Sequence, residues 1–354
     1  MKKLNSDFNG EKTDMLKVSV FGSGAWGTAI ALLMRDNGYG VTLWTKYNDE
    51  SNNLRASREN PLLSGVLIPE DISITSDIDA ATREVGAAII AVPSFAVRET
   101  AEALKGRLPG ECITICMSKG IETDTSGLFS GILKGILGEN TPLASVSGPT
   151  HAEEVALGIP TACVSASEDI AVAERVQVML MNENFRVYTS DDVIGVELGA
   201  ALKNVIAISA GICEGLGLGD NTMAMLMTRG LAEIAELCVR MGGRKETLAG
   251  LTGLGDLIVT CMSRHSRNRR AGVLIGKGLP AQDAMREVGA VVEGYYAAKA
   301  ARALSESMDV DMPICCEAYK VLYEGKTPQA AMKDLMGRRR KSELSTGEER
   351  WVMR

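Results

Sequence analysis

Hydrophobic residues in the first half of the chain form short runs, each bounded by turn residues and separated from the next by a segment of mixed helical character. The runs are Leu16–Phe21, Val41–Trp44, Ala87–Val92, Cys112–Met117 and Leu143–Val146, with shorter candidate strands at Thr161–Ser165 and Arg186–Tyr188. Nearly continuous apolar strands that alternate with helices are typical of a parallel sheet covered on both faces. The pattern therefore predicts an α/β domain with a doubly wound, mainly parallel sheet.

The pattern changes near residue 192, where strand signals stop and hydrophobic residues recur at helical spacing. The predicted helices are Val193–Cys213, Met223–Met241, Ala281–Val288, Tyr295–Ser307 and Ile314–Tyr323. We expect two domains, 15–192 and 193–340, because a chain of 354 residues is long enough to bury two cores. The polar ends, 1–14 and 341–354, are expected to be poorly ordered tails.

Charge and composition exclude several classes of protein. The formal net charge of −7 argues against a nucleic-acid partner, because neutralising phosphates requires a basic surface. No apolar run approaches the ~18 residues that span a bilayer, and the charged N-terminus lacks the apolar core of a secretion signal. We therefore expect a cytoplasmic protein without stable membrane insertion. The two histidines and eight cysteines show no metal-ligand spacing, so we expect no metal site.

The first predicted strand leads into a glycine-rich loop. The sequence Gly22-Ser-Gly24-Ala-Trp-Gly27 has G-x-G-x-x-G spacing, and an amphipathic pattern follows it. In dinucleotide-binding loops the three glycines permit a tight turn, the approach of a pyrophosphate and close packing of helix on strand. The helix N-terminus offers free N–H groups to the anion. This predicts a dinucleotide site, with a plain strand–helix turn as the alternative.

Lys46, just after the second predicted strand, bears on the choice of dinucleotide. Sites for NAD usually place an acidic residue there, which accepts hydrogen bonds from the ribose hydroxyls. A basic side chain suits a 2′-phosphate instead. We therefore expect NADP(H) to be preferred and NAD(H) to be possible, the alternative being an ordinary surface lysine.

Lys203 interrupts a stripe of small residues on the longest predicted helix. Residues four apart share a helix face, and this face reads Gly195, Gly199, Lys203, Ala207, Gly211, Gly215. Each glycine costs about 1 kcal/mol relative to alanine in a helix, so the stripe needs a compensating reason. One explanation is close helix packing, with Lys203 extended to water. The other is a buried Lys203 that acts as a general acid and base, its pKa lowered by desolvation.

A basic cluster predicts a phosphate site. Segment 264–270 carries four arginines within a chain of net negative charge, together with Ser266 and Asn268 as neutral donors. Guanidinium is a planar, bidentate partner for phosphate. The alternatives are a solvated helix start and a nucleic-acid patch, and the absence of interleaved aromatic residues argues against the second. The cluster therefore favours a small phosphorylated ligand.

Two further candidates follow predicted strands, where open α/β sheets bind ligands. These are the segments Ser118-Lys119-Gly120 and Ser147-Gly148-Pro-Thr150. Thr150 with Glu153 also fits a capping box at a helix start, which would be a purely structural role. The glycines of segment 250–255 are expected to form a sharp turn that delivers Asp256.

Together these motifs resemble the bacterial NAD(P)-dependent sn-glycerol-3-phosphate dehydrogenases over about residues 17–340. The matching blocks include Gly22–Ala29, Ser118–Glu122, Ser147–Thr150, Leu202–Ile208, Gly253–Asp256, Ser266–Arg270 and Val291–Gly294. The resemblance implies a Rossmann domain followed by an all-α domain of the 6-phosphogluconate dehydrogenase type. It also implies reversible reduction of dihydroxyacetone phosphate to sn-glycerol 3-phosphate, supplying glycerophospholipid synthesis, by a homodimer.

The resemblance implies a role for each matching residue. Lys203 would be the catalytic proton acceptor and donor. The substrate would be bound by Lys119, Gly148, Thr150, Lys203, Asp256, Ser266, Arg267 and Asn268. The cofactor would contact Gly22, Gly24, Ala25, Trp26, Gly27, Lys46, Lys119, Ala152, Arg267, Val291 and Glu293.

Two other functions fit the same motifs less well. One is a related β-hydroxyacid dehydrogenase of the same fold, against which the phosphate cluster argues. The other is a module that senses NADP(H) without turnover, which has no need for a lysine beside a phosphate site.

Overall fold

The computed structural model describes residues 16–340 and 342–343, so the predicted tails lie outside it apart from Ser342 and Glu343. Eight strands form one sheet within the described residues. They are β1 Lys17–Phe21, β2 Gly40–Trp44, β3 Ser73–Thr75, β4 Val85–Ile90, β5 Ile113–Cys116, β6 Leu143–Ser147, β7 Thr161–Ala166 and β8 Phe185–Ser190. Their order is β3-β2-β1-β4-β5-β6-β7-β8.

Seven helices accompany this sheet in the described part of the N-terminal half. They are α1 Ala25–Asp36, α2 Asn48–Ser57, α3 Ile78–Thr82, α4 Val97–Leu104, α5 Phe129–Leu137, α6 Ala152–Ala156 and α7 Ile170–Leu180. Alternate residues of β4 enter different cores: Ala87 and Ile89 pack with residues of α1 and α7, whereas Ala88 and Ile90 pack with residues of α4 and α5. The sheet is therefore covered on both faces, which confirms the predicted Rossmann-type architecture.

Two features of the sheet differ from a uniform parallel arrangement. The pairing of β6 with β7 is antiparallel, whereas every other neighbouring pair is parallel. The connection between these two strands contains only the five-residue helix α6, and an antiparallel partner needs no long crossover. Strand β3 was not predicted, because its three residues include a single hydrophobic side chain, Ile74.

The second half is helical throughout its described length. Its helices are α8 Val193–Gly215, α9 Asp220–Arg240, α10 Lys245–Leu248, α11 Asp256–Met262, α12 Arg267–Gly276, α13 Ala281–Val288, α14 Glu293–Ser307, α15 Pro313–Tyr323 and α16 Pro328–Met336. Helix α8 is long and apolar enough to cross a membrane, but 89% of its apolar window is buried inside the protein. It is therefore the central core helix of this half, as the predicted all-α domain requires.

The glycines of the α8 stripe allow close contact with a neighbouring helix. A Cβ atom on Gly211 would lie 2.1 Å from the carbonyl oxygen of Arg269, and one on Gly272 of α12 would lie 2.1 Å from that of Ile208. Helices α8 and α12 therefore approach backbone to backbone. The packing explanation holds for the glycines, but Lys203 is only 4% exposed, so the alternative in which it extends to water is wrong.

Candidate active site

The carboxyl ends of the central strands meet at one edge of the sheet. Register pairs Trp44 with Phe21, Phe21 with Ile90, and Ile90 with Cys116, so β2, β1, β4 and β5 end level with one another. The glycine loop follows β1, and Lys119 follows β5. This edge faces residues of α8 and α11, because Lys119 forms an ion pair with Asp256.

Asp256 joins two lysines from different parts of the chain. Its Oδ1 accepts a hydrogen bond from Lys203 Nζ at 2.5 Å, and its Oδ2 accepts one from Lys119 Nζ at 2.9 Å. Lys119 Nζ also donates to the carbonyl oxygen of Gly148 at 2.8 Å and lies 3.4 Å from the hydroxyl of Thr150. The structure thus brings together five of the predicted substrate-binding residues.

Burial decides the protonation of this cluster. Desolvation lowers the pKa of Lys203 to about 8; Asp256 opposes the shift, and the positive charge of Lys119 adds to it. Burial alone would raise the pKa of Asp256, but the two ammonium groups hold it below its ordinary value. Lys203 is therefore poised to exchange a proton near neutral pH, beside a carboxylate that stays charged.

Sequence reasoning missed two residues of this site. Thr260 lies one helical turn after Asp256, and its Oγ1 accepts a hydrogen bond from Lys203 Nζ at 2.7 Å. The i, i+4 spacing of Asp256 and Thr260 on α11 would have indicated a shared face. His151 was also missed: its Nε2 is buried without a hydrogen-bond partner in the described residues, and burial, Lys203 and Lys119 lower its pKa.

The structural alternative for Thr150 and the prediction for the glycines before Asp256 are both wrong. Thr150 does not cap a helix: α6 begins after His151 without a side-chain cap, and the Thr150 hydroxyl lies beside Lys119. The glycines before Asp256 form a turn of π-helix, 251–255, that runs directly into α11, rather than a sharp turn. A Cβ on Gly253 would lie 2.0 Å from the carbonyl oxygen of Leu248, so this wide turn needs glycine there.

The predicted phosphate residues lie at the start of α12. Ser266 caps this helix by accepting a hydrogen bond from the Arg269 N–H at 3.2 Å, and Arg267 is exposed at the first helical position. The amide of Asn268 is occupied within the protein: it donates to Asn204 Oδ1 at 2.9 Å and accepts from the Gly294 N–H at 2.9 Å. Its side chain joins α8, α12 and α14, while Arg267 remains available to a ligand.

The four arginines of segment 264–270 do not act as one group. Arg269 forms an ion pair with Glu214 of α8 at 2.6 Å. Arg264, Arg267 and Arg270 are exposed, and Arg267 lies close enough to Glu293 to lower the pKa of this carboxyl against the larger, raising effect of its burial. Arg267 is thus near Glu293, one of the predicted cofactor residues.

The glycine loop has the geometry that a dinucleotide requires. Gly22 has a φ of +116°, and a Cβ there would lie 2.6 Å from the carbonyl oxygen of Ala91. A Cβ on Gly27 would lie 1.8 Å from the carbonyl oxygen of Gly22, so the helix packs tightly on the loop. Gly24 has open space where its Cβ would be, and the first N–H groups of α1, from Ala25 onward, lack helical acceptors. The loop fits a pyrophosphate at the start of α1.

The remaining predicted cofactor residues belong to several elements of both halves of the chain. The buried Trp26 Nε1 and Glu293 Oε2 have no hydrogen-bond partner in the described residues. Glu293 Oε1 accepts a hydrogen bond from the Ser94 N–H at 3.1 Å, which connects α14 to the end of β4. Ala152 is the buried first residue of α6, and Val291 is partly exposed just before α14. Lys46 is exposed after β2.

Among the described residues there is no group of three or more His, Cys, Asp or Glu side chains arranged to hold a metal ion. The polar side chains in contact around Asp256 are those of Lys119, Lys203, Thr150 and Thr260. Ammonium groups of this kind can donate protons and bind anions.

Comparison with known proteins identifies the family. The family model for the N-terminus of NAD-dependent glycerol-3-phosphate dehydrogenase matches residues 17–173, and the model for its C-terminus matches residues 192–333. A glycerol-3-phosphate dehydrogenase (NAD(P)+) from a Thermoanaerobacter species is 49% identical over 93% of this chain and 99% of its own length. The same enzyme from Clostridium perfringens is 46% identical over the same shares of both chains.

Solved structures agree with this match. A crystal structure of glycerol-3-phosphate dehydrogenase from Coxiella burnetii has 36% identity and a TM-score of 0.88, covering 92% of this chain and 99% of that one. A D-mandelate dehydrogenase at 13% identity and a TM-score of 0.62 shows a shared fold alone. The resemblance inferred from the motifs is confirmed, and the chain belongs to the NAD-dependent glycerol-3-phosphate dehydrogenase family.

Proposed function

We propose that this protein catalyses the reversible reduction of dihydroxyacetone phosphate to sn-glycerol 3-phosphate, with Lys203 as the general acid and base. The observation that carries the proposal is the buried contact of Lys203 with Asp256, which also binds Lys119 at the edge of the sheet. The curated relatives are named as enzymes that act on glycerol 3-phosphate. This favours the dehydrogenase over a hydroxyacid enzyme or a sensing module.

Lys203 is the group suited to move the proton. During reduction a carbonyl oxygen gains negative charge, and an ammonium group at this position donates a proton to it. A lysine with a pKa of about 8 is a stronger acid than an ordinary lysine and is still largely protonated at neutral pH. Asp256 and Thr260 accept two hydrogen bonds from Lys203 Nζ, which orients it while leaving its remaining proton for the substrate.

Lys119 and the start of α12 bind the rest of the substrate. The Lys119 ammonium lies in the same buried cluster and stabilises negative charge on the reacting oxygen. Arg267 and the N–H groups at the start of α12 bind the phosphate, with Ser266 holding the helix end in place. Binding energy from this remote phosphate positions the reacting carbon, so loss of the phosphate should reduce turnover as well as affinity.

The cofactor fits the loop between β1 and α1. When bound, a nicotinamide dinucleotide supplies or accepts the hydride. Gly22, Gly24 and Gly27 shape the pyrophosphate site, and Trp26 and Glu293 carry the unpartnered polar atoms beside it. The relatives are named as NAD(P)+ enzymes.

Four finer points belong to the same proposal. Lys46 supports a preference for NADPH over NADH, because its positive charge follows β2, where the ribose is bound. The family resemblance supports a homodimer that supplies glycerophospholipid synthesis. The composition supports a cytoplasmic location. Gel filtration with light scattering tests the dimer, and a single protomer mass would exclude it.

The test of the proposal is initial-rate oxidation of NADPH and NADH with dihydroxyacetone phosphate as acceptor. We expect turnover with the phosphorylated ketone and at least about a hundredfold less with dihydroxyacetone. The Lys203→Ala variant should have no reductase activity, and its affinity for NADPH should be unchanged. Lys299→Ala, which removes an exposed lysine from α14, serves as the matched control. Equal turnover of both ketones, or substantial activity of Lys203→Ala, would refute the assignment.

A further inference from the structure

Lys46 and Glu99 form an ion pair between the segments that follow β2 and β4. Lys46 Nζ lies 2.5 Å from Glu99 Oε1. Lys46 follows β2, whereas Glu99 lies in the first turn of α4, which follows β4. Strands β2 and β4 flank β1 on either side, and β1 leads into the glycine loop. The pair therefore lies beside the end of β2, where the ribose of a dinucleotide would be bound.

Lys46 contacts the Glu99 carboxylate and the ring of Tyr47, whereas the carboxylate of Glu50 has other partners. The hydrogen bond to Glu99 raises the pKa of Lys46, whose ammonium lies 5.9 Å from the centre of the Tyr47 ring. Glu50 accepts hydrogen bonds from Ser23 Oγ at 2.6 Å and Thr45 Oγ1 at 2.5 Å, so its carboxylate supports the glycine loop.

Within the described residues, Lys46 is the ion-pair partner found for Glu99. Its neighbour Arg98 is engaged in a bidentate interaction with Glu122, at 2.7 Å and 2.8 Å. The carboxylate of Glu99 is thus neutralised by Lys46, and the charge of Lys46 is likewise offset before any ligand arrives.

We infer that Glu99 is a specificity-determining residue that limits the preference for NADP(H) by competing with its 2′-phosphate for Lys46. The inference rests on the proposed cofactor site. A phosphate monoester carries about two negative charges at neutral pH. To contact Lys46 it must share the ammonium with the Glu99 carboxylate or replace it, and in either case it stays beside that carboxylate, which repels it. A 2′-hydroxyl carries no charge and has no such requirement. NAD(H) binding should therefore be insensitive to the charge of Glu99.

The test is fluorescence titration of NADPH and NADH binding in the absence of substrate. Glu99→Gln should tighten NADPH binding about fivefold, the upper range for an exposed ion pair, and change NADH binding less than about twofold. Glu102→Gln removes the same charge from the next turn of α4, where the side chain is exposed, and should change neither affinity by more than about twofold. Unchanged NADH binding also shows that each variant is folded.

A double variant separates competition from simple repulsion. In a Lys46→Gln background, Glu99→Gln should give a smaller gain in NADPH affinity, because no ammonium is released. An equal gain in both backgrounds, an equal gain for NADH, or an equal effect of Glu102→Gln would overturn the inference. The titrations need no turnover. They therefore test Glu99 even if dihydroxyacetone phosphate proves not to be the substrate.

Discussion

Replacement of Asp256 by asparagine tests how the buried cluster controls the proton of Lys203. Asp256 is 1% exposed and lies between two ammonium groups, at 2.5 Å from Lys203 Nζ and 2.9 Å from Lys119 Nζ. Asparagine keeps the size and an oxygen acceptor but removes the negative charge. The two lysines then face each other in a desolvated site without a counterion. The charged form of Lys203 is therefore disfavoured.

The size of the effect follows from the separation of the charges. Two unit charges about 4 Å apart interact by about 4 kcal/mol at an effective dielectric constant of about 20, and about 1.4 kcal/mol corresponds to one pKa unit. Because the asparagine oxygen retains part of the interaction, we expect protonated Lys203 to lose about 3 kcal/mol of electrostatic stabilisation. The pKa of Lys203, which is about 8 in the native protein, should then fall to about 6 in the variant. At pH 7 only about a tenth of it would be protonated.

The assay is the pH dependence of kcat/KM for reduction of dihydroxyacetone phosphate. Reduction requires the protonated lysine, so the native rate should fall as the pH rises through about 8, and oxidation of sn-glycerol 3-phosphate should rise over the same range. In Asp256→Asn the fall should occur about two pH units lower, with at least about a tenfold loss of rate at pH 7.

A matched control distinguishes charge from stability. Asp192→Asn also replaces a buried carboxylate, which accepts hydrogen bonds from the N–H groups of Gly195 and Arg244 at the start of α8. It should lower stability and leave the pH profile in place. An unshifted basic limb in Asp256→Asn, or one moved to higher pH, would refute the electrostatic account of Lys203.

Two further predictions concern positioning and packing. Thr260→Val removes the acceptor of a hydrogen bond from Lys203 Nζ and should lower kcat about tenfold with little change in KM. Thr260→Ser keeps the hydroxyl and should retain the native rate. A change in KM alone would show that Thr260 acts on substrate binding. Gly211→Ala places a Cβ 2.1 Å from a backbone oxygen of α12 and should lower the free energy of unfolding by about 1–3 kcal/mol in urea titrations. Gly131→Ala, in open space on α5, should instead be neutral or raise it by up to about 1 kcal/mol, and equal losses in both variants would contradict the packing argument.

Much of the fold could be predicted from periodicity. Every predicted apolar run contains or overlaps a strand, because strands buried on both faces carry a continuous hydrophobic signal. Strand β3 was not predicted, because three residues with one hydrophobic side chain carry no periodic pattern. The antiparallel pairing of β6 and β7 depends on the path of a short connection, which local composition does not encode.

The site was predictable where a motif has a backbone requirement. Gly22 and Gly27 lie where a side chain would collide with backbone oxygens, so the glycine spacing itself carries the information. Thr150 shows the opposite case. Its sequence fits a capping box, but its hydroxyl lies next to Lys119, which is 31 residues earlier in the chain. A local pattern cannot distinguish a cap from a distant partner.

By itself, then, the sequence determined the parallel sheet, the helical second half, the glycine loop and the family, because these depend on hydrophobic period and on short motifs. Tertiary structure alone decided the chemistry of Lys203. Its partner Asp256 lies 53 residues away, and Lys119 lies 137 residues from Asp256. Their contact, and the burial that lowers the pKa of Lys203, arise only when α8, α11 and the sheet edge pack together. Desolvation and Coulomb interactions depend on distances in space, and separation along the chain does not encode those distances.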